Sequence, residues 1–168
     1  VPPYTKSMGE CVYFPTCASD AGWMVEGAIA PDSHNGPSSF TGAGTSTEPT
    51  VIDRYSGLEW RICTVGKTWS GGTCAGRSVE TYWAASLSLC DGAWGGAEDW
   101  RVASIDELDS LIDFTAEDPA VDSDSFPGFP RSGEETALWP STSELPDGSR
   151  GVLVYLGQHG HRWADSLY

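Results

Sequence analysis

Lysine is nearly absent from this chain of 168 residues. Lys6 and Lys67 are the only two, and nine Lys and Arg together face 24 Asp and Glu, for a formal net charge of −15. A surface of that sign repels phosphate backbones and anionic lipid headgroups, which argues against nucleic acid and against polysulfated glycans as partners. No run of 18 apolar residues occurs, so direct membrane insertion through a helix is not expected. There is no Cys-x2-Cys pair, and the three histidines, His34, His159 and His161, are not spaced as partners for the cysteines, so a zinc site is not expected. The chain begins with Val1 rather than Met. The expectation is a secreted or cell-surface protein whose signal sequence has been removed ahead of that residue.

What is present points to a folded, loop-rich domain. Hydrophobic residues make up 39% of the chain and Trp occurs eight times, which is too apolar and too aromatic for a disordered segment. The length fits one domain. Twenty Gly and 11 Pro, with many Ser and Thr, favour loops over a helical bundle, and long loops need staples. Cys11 with Cys17 and Cys63 with Cys74 each close a short loop and are expected as disulfides of an exported domain. The second would stabilise by about 3 kcal/mol in the chain-entropy model. Sequence alone does not fix the connectivity, and Cys90 is left over.

Along the chain, residues 1–39 read as an irregular, disulfide-containing segment packed on the domain, with turn signals at Pro2-Pro3, Pro31-Asp32 and Asn35-Gly36. Residues 40–168 read as one globular unit. Within it, 40–62 give strand, turn and strand, with Val51-Ile52-Asp53 and Leu58-Glu59-Trp60 flanking Tyr55-Ser56-Gly57. Residues 79–114 carry two helices. In the first, Trp83, Leu87 and Cys90 recur on one face. The second opens on Ser104-Ile105-Asp106-Glu107, a capping-box pattern, and continues with Ile105, Leu108, Leu111 and Ile112 as an apolar stripe. Short strands separated by Gly and Pro turns follow from residue 125.

Several of these pieces, taken in order, resemble a known family. They are Thr50-Val51-Ile52-Asp53, Ser56-Gly57-Leu58-Glu59-Trp60, Trp83-Ala84-Ala85 through Cys90, Asp99-Trp100-Arg101-Val102, Glu107-Leu108-Asp109-Ser110-Leu111-Ile112, Phe126-Pro127 and Trp139-Pro140-Ser141-Thr142-Ser143. The succession resembles the bacterial family named after the C-terminal domain of the Legionella collagen-like adhesin. The resemblance implies an α+β, C-type-lectin-like fold, with two helices packed on a small antiparallel sheet and long loops. It also implies surface or secreted proteins, some of them adhesins. Two departures stand out. Members usually end in a strand whose cysteine pairs with the one at the end of the first helix. That cysteine is missing, so Cys90 is expected as a reduced, buried thiol beside Trp83 and Leu87. The charge argues against carrying over a sulfated ligand.

The expected function is non-enzymatic recognition of an extracellular glycan or protein. Arg150, Tyr155, Gln158, His159, His161, Arg162 and Trp163 concentrate aromatic and planar polar groups of the kind enriched in recognition hot spots. Trp139, close by in sequence, reads as core. Asp113, Glu117, Asp118, Asp122 and Asp124 suit a structural Ca2+ or, equally simply, a solvated acidic loop; no other cofactor is implied. Self-association as a subunit of a surface filament or pilus is the alternative. An enzyme, formylglycine-generating-like or hydrolytic, trails: no cysteine follows Cys90, and no nucleophile-elbow pattern supports a Ser-His-Asp set.

Overall fold

The computed structural model describes residues 11–13, 40–92, 94–95, 97–131, 137–143, 150–157 and 161–166. For 11–13, 150–151 and 161–166 the description is of the backbone. Among the described residues the fold is a small α+β mixture of short antiparallel sheets and two short helices. Strands β1 (Cys11–Tyr13), β2 (Phe40–Gly44), β3 (Pro49–Asp53), β4 (Glu59–Arg61) and β7 (Arg101–Val102) form a five-stranded sheet in the order β2-β3-β4-β1-β7. Strands β8 (Ala137–Leu138), β9 (Arg150–Tyr155) and β10 (His161–Ser166) form a three-stranded sheet, and β5 (Thr68–Ser70) with β6 (Thr73–Ala75) a separate hairpin.

The expected strand–turn–strand is present, and its turn is built by one carboxylate. Asp53 ends β3 with its Oδ1 accepting from the Tyr55 amide at 2.9 Å and its Oδ2 accepting from the Ser56 hydroxyl at 2.6 Å. The Gly57 amide donates to the Asp53 carbonyl, and Gly57 takes φ +72°, a left-handed conformation that side-chain-bearing residues resist. Alternation along the strands then sorts the residues. Val51 lies opposite Trp60 and Phe40 opposite Asp53, facing the main core, whereas Thr50 lies opposite Arg61 on the other face.

The main core gathers Phe40, Val51, Leu58, Trp60, Leu108, Leu111, Ile112, Phe126, Leu138, Val154 and Leu156 among its buried residues. Helix α2 (Ile105–Asp109) closes it from one side by inserting Leu108 and packing against β9. Its start follows the sequence pattern. The Ser104 hydroxyl accepts from the Glu107 amide at 3.3 Å, and the Glu107 carboxylate accepts from the Ser104 amide at 2.7 Å. Arg101 completes the cap with a two-pronged ion pair, its guanidinium nitrogens 2.9 and 2.6 Å from the two Glu107 oxygens. Burial alone would raise the Glu107 pKa. The hydrogen bonds from Arg101 and the Ser104 amide outweigh it, and with the Arg101 charge hold the carboxyl below its ordinary value. A depressed folded-state pKa means stability that is present above the unfolded carboxylate range and is lost as pH falls through the folded value. Glu107→Gln is therefore expected to cost about 1 kcal/mol at pH 7. That gap should close on acidification, as read from urea unfolding of both proteins at neutral and acid pH.

Three features differ from the expectation. Residues 11–13, within a segment read as irregular, form β1 and lie between β4 and β7. The β5–β6 hairpin was not anticipated. The first helix, α1 (Trp83–Ser86), is a single turn without a side-chain cap, so the pattern expected over 83–90 does not hold. Leu87 is exposed, while Cys90 is buried.

Candidate functional site

The C-terminal candidates fall on the β9–β10 hairpin, whose register pairs His161 with Tyr155, Arg162 with Val154, Trp163 with Leu153 and Ser166 with Arg150. Strand alternation divides them. Tyr155, His161 and Trp163 take one set of positions, Arg150 and Arg162 the other, so the candidates do not form one continuous face. Both sides of β9 are in use. Leu153 packs with Ala137 and Trp139, whereas Val154 and Leu156 belong to the main core. Gln158 and His159 lie outside the described residues.

What surrounds Tyr155 is an aromatic junction that sequence reasoning only partly anticipated. Trp139 is buried, as expected, with Ala137 and Leu153, and half-buried Trp83 and Tyr155 pack against that group. The two indoles hold each other's backbone: Trp83 Nε1 donates to the Pro140 carbonyl at 2.8 Å, and Trp139 Nε1 donates to the Thr81 carbonyl at 3.0 Å. This double clasp ties α1 to the segment leaving β8. It leaves Tyr82, at 38% exposure, with Val79 and Leu87, among the few large apolar side chains open to solvent. A Trp spacing in sequence carries no sign of such a clasp, because its acceptors are backbone carbonyls more than fifty positions away.

A second aromatic arrangement lies on the other face of the five-stranded sheet. The Arg61 guanidinium sits 3.6 Å from the centre of the Trp94 ring, a cation–π geometry that compensates burial of the charge. Thr50, opposite Arg61, donates its hydroxyl to Glu59. The Glu48 carboxylate accepts from the Gly95 amide at 2.9 Å and so pins the 94–97 turn over the strands. Cys90, Trp100 and Val102 are buried in one cluster, with Val65, Trp94 and Ala97 packed around them.

The acidic residues after α2 do not converge. Asp113 Oδ1 accepts from the Thr115 amide and hydroxyl at 2.8 and 2.6 Å. Asp122 accepts from the Asp124 amide at 3.1 Å and the Ser125 hydroxyl at 2.6 Å. Asp122 is buried, whereas Glu117, Asp118 and Asp124 are exposed. Among the described residues, which include all five acids, no group of three or more potential ligands is placed to hold a metal ion. Two carboxylates of the candidate calcium set do what Asp53 and Glu48 do elsewhere, which is to hold loop amides.

One cysteine expectation needs correction. Cys63 and Cys74 are disulfide-bonded, as their spacing indicates. Cys90 is also disulfide-bonded, so it is buried but is not the reduced thiol expected. The side chains of Cys11 and Cys17 lie outside the described residues. The expected Cys11–Cys17 bond falls there with them.

None of the helices among the described residues is long and apolar enough to cross a membrane. In comparison with known proteins, the sequence model of the Lcl C-terminal domain family matches residues 49–166. No curated protein and no solved structure matches the chain.

Proposed function

The chain belongs to the Lcl C-terminal domain family, and on that premise we propose that it is a non-enzymatic extracellular binding domain recognising a glycan or a protein. The family is one of surface-associated domains, and the match over residues 49–166 carries the reading. The C-type-lectin-like arrangement belongs to the same proposal. It is supported by the two short helices and small antiparallel sheets of the described residues, with α2 packed against β9. The ligand face is the C-terminal hairpin where it meets the Trp83–Trp139 junction. There Tyr155 is half-buried on that cluster, His161 is its register partner, and Tyr82 is exposed beside Trp83. Aromatic rings held rigidly at a surface supply contact area at little entropic cost, which favours recognition. The acidic surface selects neutral or basic ligands over sulfated ones.

The test is binding of the whole chain to a glycan array and to a panel of immobilised extracellular proteins, each with Ca2+ and with chelator. Binding is expected in at least one panel and independent of Ca2+, since Asp113 and Asp122 of the 113–124 loop are engaged in turns. Tyr82→Ser and His161→Ala should weaken it about tenfold or more. Absence of binding from both panels, with assembly that grows with protein concentration, would replace this reading with that of a structural subunit of a surface filament.

A further inference from the structure

We propose that the partner of Cys90 is Cys11, so that a disulfide fastens the N-terminal strand into the middle of the five-stranded sheet. Three observations lead there. Cys90 is disulfide-bonded, and Cys63–Cys74 leaves only Cys11 and Cys17 to bond it. The ladder between β1 and β7 places Cys11 directly opposite Val102, and Val12 opposite Arg101. Residues directly opposite in an antiparallel pair share a face with their Cβ atoms about 5 Å apart. Val102 on that face is buried in one cluster with Cys90 and Trp100. The register position of Cys11 thus lies beside the cluster that contains Cys90. The same face carries Arg61 stacked on Trp94, so the bond closes the layer formed by the 90–100 loop over the sheet.

Formation removes two protons and two electrons from the thiols of Cys11 and Cys90. A disulfide oxidant accepts them and leaves as a dithiol, as in ordinary thiol–disulfide exchange. The reverse reaction with an external dithiol frees β1, whose departure exposes the facing edges of β4 and β7. Sheet integrity is thereby linked to an oxidising surrounding.

Peptide mapping of the unreduced, alkylated protein decides the matter. The expected result is a bridged pair containing Cys11 and Cys90, with alkylation of Cys17 once the chain is unfolded. A bridge between Cys17 and Cys90, or between Cys11 and Cys17, overturns the proposal. Thermal melting gives an independent readout. Cys17→Ser should melt as the parent does, whereas Cys11→Ser should melt about 10 °C lower, because the bond closes a long loop. A Cys11→Ser variant that melts with the parent also overturns it, and if that variant does not fold the peptide map of the parent still decides.

Discussion

Trp60→Ala is expected to lower stability by about 3–5 kcal/mol, enough to unfold a marginal domain. The side chain is fully buried, on the inner strand β4 with β3 on one side and β1 on the other. It packs among the aromatic and aliphatic residues contributed by the sheet, α2 and the C-terminal strands. Truncation removes a large apolar surface from a site whose walls are backbone ladders and cannot collapse. Trp60→Phe should cost much less. The indole Nε1 is buried without a hydrogen-bond partner, so replacing it loses no bond and relieves an unsatisfied donor. Trp139→Phe, by contrast, gives up the bond to the Thr81 carbonyl. Urea unfolding of the three variants checks the order. Equal losses for Trp60→Phe and Trp60→Ala would mean that the indole N–H has a partner and that the packing is other than described.

The double substitution Cys63→Ser, Cys74→Ser ranks next, with an expected loss of about 3 kcal/mol. The bond joins the end of β4 to the β5–β6 hairpin, at a sequence separation of 11. That hairpin has few other anchors: Trp69 and Cys74 pack only partly against the core. Gly128 shows how closely it is held from the other side. A Cβ placed there would lie 2.3 Å from the Thr73 hydroxyl and 2.8 Å from the Cys74 amide. Without the bond the hairpin should loosen first. Hydrogen exchange of the amides across 68–75 should then accelerate more than that of β3 and β4. Uniform acceleration over all three would instead make the staple a global element.

What was legible in the sequence is what is decided by neighbours. The Ser104–Glu107 box, the Asp53 turn and the Cys63–Cys74 loop are each settled within a dozen positions, and all three are present. Two of the differences arose where distant residues decide. The three residues of β1 carry no distinctive pattern and become a strand only because β4 and β7 supply ladders on both sides. The helical period from Trp83 to Cys90 suggested a longer helix. The indole clasp and the disulfide at Cys90 fix the two ends independently of helix propagation, and the helix closes after one turn. Within the acidic run, which suited either Ca2+ or a solvated loop, a linear pattern does not reveal that Asp113 and Asp122 are engaged by amides two residues on. The recognition candidates on β9 and β10 looked like one patch because they are close in sequence, yet the two-residue period of a strand distributes them to opposite sides.

The strand order also has a kinetic meaning. The ladders around Val12 require Trp60 and Arg101, so during synthesis β1 waits until Arg101 has followed it. Every other named ladder of that sheet joins residues within the single stretch 40–61. Closing the two large loops costs entropy before any inner contact compensates it, which places folding in the slow regime of non-local β topologies, milliseconds to seconds rather than microseconds. Until then the inner edges of β4 and β7 stand open on a partly folded chain. During that interval high net charge is useful: fifteen unbalanced negative charges keep nascent copies apart while their sheets are incomplete.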